Sequence, residues 1–101
     1  MPDPSCFIFL DDMRDPPAGA TLCRGAAEAI CLIESGVVAR ISFDHDLGTE
    51  ATGYDVAKRI EELVAEGRID LPDWQIHSAN PVGRRNIEAA MQSAARFARN
   101  R

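Results

Sequence analysis

Lysine is almost missing from this 101-residue chain: Lys58 is the only one, and acidic groups outnumber basic ones to leave a formal charge of -5. A sequence-independent grip on a nucleic-acid backbone needs a basic face that displaces counterions, so an extended duplex is not an expected partner. A small phosphorylated ligand or an RNA end is not excluded. No apolar run approaches the roughly 20 residues of a membrane helix, and no charged-then-apolar signal segment opens the chain. A cytoplasmic protein with no membrane partner is therefore expected. The three cysteines, Cys6, Cys23 and Cys31, are odd in number, lack CxxC spacing and sit in apolar contexts. They read as reduced core residues rather than as a disulfide framework or redox motif.

What is present has the balance of one compact domain over residues 1–101, with 46% hydrophobic and 27% charged residues. Domains of this size bury roughly two thirds of their unfolded surface, enough to fold without disulfides, and a homodimer stays open. The run Cys6-Phe7-Ile8-Phe9-Leu10 suits a strand buried on both faces, and it stops at Asp11-Asp12. Asp15-Pro16-Pro17-Ala18-Gly19 must be irregular. Thr21 to Arg24 suits a short second strand. Ala26, Ala29, Ile30 and Ile33 recur at helical spacing up to Gly36. Val37 to Phe43 reads as a strand that again ends in acid, at Asp44-His45-Asp46.

Thr52 and Asp55 form an approximate capping box for a helix with Val56, Ile60, Leu63 and Val64 on its buried stripe, closed by Gly67. Trp74 to His77 is a further strand, and Asn80 then Pro81 open a helix to about Arg99. Its stripe is Ile87, Ala90, Met91, Ala94, Phe97 and Ala98. Alternating strands and helices imply right-handed crossovers and a parallel sheet, hence a common carboxyl edge, where ligands bind in open α/β sheets.

Three strand exits converge on that edge: Asp11, Asp12 and Arg14; Asp44, His45 and Asp46; His77, Ser78 and Asn80. Clustered ionised carboxylates repel, and a hard cation, a nearby arginine or protonation relieves them. Asp11, Asp12, Asp44 and Asp46 are the candidate metal residues, with Asp44 the safer of the second pair because Leu47-Gly48 signals a turn. Solvation or loop capping would explain Asp11-Asp12 alone. His45 and His77 could bind metal, hydrogen-bond a phosphate or move a proton; in isolation each would better suit a buried histidine bonded to backbone, a preference that their shared placement reverses. Ser78 and Asn80 precede a helix whose amides attract an anion, and Arg14 and Arg84 could clamp it, although Asn80 as a cap and Ser78 as a turn residue explain themselves too. Arg85 should face solvent.

The blocks Leu10-Asp11-Asp12-Met13-Arg14-Asp15-Pro16, Ser42-Phe43-Asp44-His45-Asp46-Leu47-Gly48, Thr52-Gly53-Tyr54-Asp55 and His77-Ser78-Ala79-Asn80-Pro81-Val82-Gly83-Arg84, with Asn86, resemble the cyclic-phosphate-processing receiver-like family, relatives of response-regulator receivers. The resemblance implies a reduced receiver-like, flavodoxin-like α/β fold. Its expected form is a three-layer arrangement with a mainly parallel sheet of three or four strands and three helices. It also implies an acidic metal pocket and processing of cyclic phosphate esters such as nucleotide or RNA 2′,3′-cyclic ends; for clustered carboxylates the expected cation is Mg2+ or Mn2+. A signalling receiver would place a lysine after a last strand, whereas Lys58 falls within a predicted helix.

The leading expectation is thus metal-dependent hydrolysis of a cyclic phosphodiester, with Asp44, His45 and His77 at the chemistry. The rivals are a non-catalytic phosphate-binding or nucleotide-binding module and a phosphoacceptor receiver.

Overall fold

A computed structural model describes residues 6–100; the ends of the expected 1–101 domain lie outside the described residues. The chain runs β1 (Cys6–Leu10), β2 (Thr21–Cys23), α1 (Ala26–Glu34), β3 (Val38–Phe43), α2 (Gly53–Ala65), β4 (Asp73–Ile76) and α3 (Pro81–Arg99). Gly36 and Gly67 follow α1 and α2 at φ of 81° and 73°, the left-handed stop that glycine reaches without a Cβ penalty. At the start of α2 the Asp55 carboxylate accepts the Thr52 backbone N–H at 2.7 Å. At the start of α3 Asn80 Oδ1 accepts from the amides of Val82 and Gly83, with Pro81 in the first turn.

The four strands form one parallel sheet in the order β2-β1-β3-β4. Side chains alternate across a strand, which sets Ile8, Leu10, Ile41 and Phe43 on one face and Phe7, Phe9, Arg40, Ser42 and Gln75 on the other. The first set belongs to a hydrophobic cluster with Ala29 and Ile33 of α1, Val56, Ile60, Leu63 and Val64 of α2, and Ile87, Met91 and Ala94 of α3. All three helices therefore share that face.

The expectation of three layers is corrected to two among the described residues. The β1–β2 link contains no helix, and the crossovers β2-α1-β3 and β3-α2-β4 advance in the same direction along the sheet. A right-handed connection then puts both helices on the same side. The opposite face carries its own polar and aromatic pattern: Arg40 lies over the Phe7 ring at 4.5 Å and Phe9 stacks on His77 at 4.5 Å.

Two smaller expectations change as well. Cys31 is exposed, because it falls two residues after Ala29 and so points off the stripe of Ala26, Ala29 and Ile33. Cys23 is core, and burial pushes its thiol up to about 11; the described cysteines are free. Phe97 is 45% exposed, since the last turn of α3 closes its stripe with Ala98. No described helix is long and apolar enough to cross a membrane.

Candidate functional site

Strand register builds the site. Leu10 pairs with Phe43 and Phe43 with Ile76, and the ladder continues one step, with Asp44 N donating to Leu10 O and His77 N to Phe43 O, both at 2.9 Å. Asp11, Asp44 and His77 are thereby carried abreast on the face away from the helices. One ligand atom from each lies within 4.8 Å of the others.

Asp11 is 1% exposed and fully engaged. Its Oδ1 accepts from Met13 N and Arg14 N, each at 2.8 Å, while Oδ2 accepts from His77 Nε2 at 3.0 Å and Arg14 Nη1 at 3.3 Å. Burial by itself would raise the Asp11 pKa, but the Arg14 and Met13 amides and the neighbouring His77 outweigh it and hold the carboxyl below its ordinary value. The irregular stretch after β1 is what turns those two amides back onto the strand end. Asp44 Oδ1 accepts from the His45 backbone amide at 2.8 Å, and its side chain is half-buried.

The second histidine stands apart from this group. His45 follows Asp44 by one residue and turns toward the helix layer, where Gly53 and Gly83 open α2 and α3. A Cβ on Gly53 would overlap the Asp44 carbonyl, and one on Gly83 would overlap the His45 ring. Two glycines thus let two helix starts close around the β3 exit. His45 Nδ1 lies 3.0 Å from Asp46 Oδ1, and Asn80 Nδ2 reaches Asp46 Oδ2 at 3.3 Å. These hydrogen bonds from His45 and Asn80 hold Asp46 below the usual carboxylate range although it is exposed.

Of the expected cation residues, Asp11 and Asp44 are brought together and joined by His77. Asp46 pairs with His45 instead, and Asp12 Oδ2 lies beside Gly48. Of the expected phosphate residues, Arg14 projects from the Asp11 loop with its side chain 55% exposed. The others are engaged in the β4–α3 turn. Ser78 Oγ accepts the Asn80 amide at 3.1 Å, and Arg84 Nη1 donates to Ile76 O at 2.9 Å and Ser78 O at 3.1 Å. Arg85 is exposed.

Ser42, which is not among the site residues expected from the sequence, is wholly buried with its Oγ 2.7 Å from His77 Nδ1. The available signal was a hydroxyl two residues before Asp44, on the same strand face, in an apolar run. Arg24 is a second unexpected participant: its Nη1 donates to Arg14 O at 2.9 Å and Asp11 O at 3.3 Å and so ties down the Asp11 loop.

A comparison with family descriptions matches residues 6–93 to the cyclic-phosphate processing receiver domain. The chain belongs to that family. No curated protein and no solved structure matched it. This receiver-like domain keeps the acidic sheet edge, while Lys58, its single lysine, lies on α2 beside Asp55 at 3.6 Å and over the Tyr54 ring. Two carboxylates and an imidazole form a donor set that a divalent cation accepts, and imidazole suits Mn2+ better than Mg2+, which favours all-oxygen shells.

Proposed function

We propose that this domain hydrolyses a small cyclic phosphodiester, of the nucleotide or RNA 2′,3′-cyclic type, with a divalent cation. The observation that carries the reading is the alignment of Asp11, Asp44 and His77, with ligand atoms inside 4.8 Å. These three would hold Mn2+ or Mg2+, which when bound polarises a phosphoryl oxygen and acidifies water. Family membership supports the cyclic-phosphate substrate class.

The other residues take roles from their positions. Arg14 offers a guanidinium beside Asp11 to balance the charge that grows on the phosphoryl oxygens during attack. Asp46 can only accept when ionised, so a neutral His45 facing it carries its hydrogen on Nδ1 and leaves Nε2 as a base. His45, which leaves the same carboxyl edge on its helix side beside the start of α3, would take a proton from the attacking water and return it to the leaving ester oxygen. One P–O bond forms, one P–O bond of the ring breaks, and a phosphomonoester with a free hydroxyl results.

Incubation with a panel of cyclic phosphates and Mn2+ or Mg2+, followed by phosphorus NMR, tests this. A cation-dependent monoester signal is expected, and His45→Gln should slow it about 100-fold or more, the usual scale of lost acid–base catalysis. Saturable binding without product would instead identify a recognition module. Labelling by a phosphodonor that Asp44→Asn abolishes would identify a signalling receiver.

A further inference from the structure

The sheet face opposite the helices carries a hydrogen-bonded row that ends on the site. Arg40 Nη2 donates to Gln75 Oε1 at 3.0 Å, Gln75 Nε2 to Ser42 Oγ at 3.3 Å, Ser42 Oγ lies 2.7 Å from His77 Nδ1, and His77 Nε2 lies 3.0 Å from Asp11 Oδ2. Its rings are clamped: Arg40 lies over Phe7, and Phe9 stacks on His77 with the planes 4° apart. Cross-strand register supplies the spacing, since Arg40, Ser42 and Gln75 are neighbours on β3 and β4.

Donor and acceptor chemistry gives the row a direction. A guanidinium only donates, so Gln75 must turn its oxygen to Arg40 and its amide nitrogen to Ser42. At the far end the Asp11 carboxylate only accepts, so the hydrogen between it and His77 sits on Nε2. A neutral imidazole has a single N–H, which leaves Nδ1 as the acceptor of the Ser42 hydroxyl hydrogen.

We propose that Arg40, Gln75 and Ser42 are positioning residues that set the tautomer and ring orientation of His77, through a one-directional chain Arg40→Gln75→Ser42→His77→Asp11. Ser42 is the adaptable link, because its hydroxyl rotates. It donates to Nδ1 while Nε2 serves Asp11, and it accepts an Nδ1 hydrogen when Nε2 is needed as a ligand. Partners behind a ligating histidine act in this way. The ligand role of His77 rests on the cation reading above; the direction of the chain does not.

Nitrogen-15 correlation spectra of the His77 ring, without cation and at a pH where the wild-type ring is neutral, test the chain. The wild type should carry its hydrogen on Nε2. Gln75→Glu keeps the shape but removes the amide donor, so the Ser42 hydroxyl turns to the new carboxylate and the Nδ1 signal of His77, losing its donated hydrogen bond, shifts. A wild-type hydrogen on Nδ1, or a folded Gln75→Glu protein with an unmoved Nδ1 signal, would overturn the proposal. In wild type that binds Mn2+, Ser42→Ala should weaken binding about 10-fold by leaving the Nδ1 hydrogen unpartnered. Unchanged affinity would overturn the positioning role. If wild type binds no cation, the cation reading fails while the ring spectra still decide the chain.

Discussion

Asp11 has its charge fixed before any ligand arrives. Four donors surround a side chain that is 1% exposed, and its folded-state pKa is lowered. A lowered carboxyl stabilises the fold at pH above its unfolded value of about 4, and that contribution disappears as pH falls through the lower folded value. Asp11→Asn brings an amide nitrogen against either His77 and Arg14 or the Met13 and Arg14 amides. The donor clash should cost roughly 1–3 kcal/mol in urea unfolding at neutral pH and flatten the acid limb of the stability profile. Equal stability of the two proteins at pH 7 would show that these hydrogen bonds contribute little. Asp11 and Asp44 were legible because each follows an apolar run, and His77 because it follows the last strand and precedes the Asn80-Pro81 helix start. Ser42 was not, because a single hydroxyl inside a strand looks the same in sequence whether it bonds locally or across to β4. Cys31 was misread because neighbouring apolar letters do not give helical phase.

At the scale of elements, register and helix approach divide the two histidines that the sequence had grouped. The exits of β1 and β3 were readable from acid following an apolar run, but the side of the sheet was not, since it depends on whether a residue lies an odd or an even step past the last core position. Asp44 and His45 are adjacent and so point to opposite sides. The close approach at Gly53 and Gly83 was equally hidden, because a glycine in a first helical turn has several uses. A methyl at Gly83 overlaps the His45 ring. Gly83→Ala should therefore lower stability by about 1–3 kcal/mol, the usual cost of overpacking. It should also shift the His45 ring signals while leaving those of His77 in place. Unmoved His45 signals would mean that the ring has room that the helix start does not define.

Over the whole molecule, the strand and helix order, the parallel sheet and the common carboxyl edge were all readable from alternating periodicity. The missing layer was not, although its cause is in the chain. Ten residues with Pro16, Pro17 and Gly19 join β1 to β2 where a helix would have covered the second face. Without it, Asp11, Asp44 and His77 meet on a face with no described helix over it, and the row from Arg40 to His77 runs along that face. The proposed hydrolysis requires these three side chains together to bind a divalent cation. Titration with Mn2+ while following backbone amide signals tests it directly, because a bound paramagnetic ion broadens the signals nearest to it. Saturable broadening centred on Asp11, Asp44 and His77 is expected, and Asp44→Asn abolishes it. Broadening centred on exposed acids elsewhere, or persisting unchanged in Asp44→Asn, would contradict the proposal.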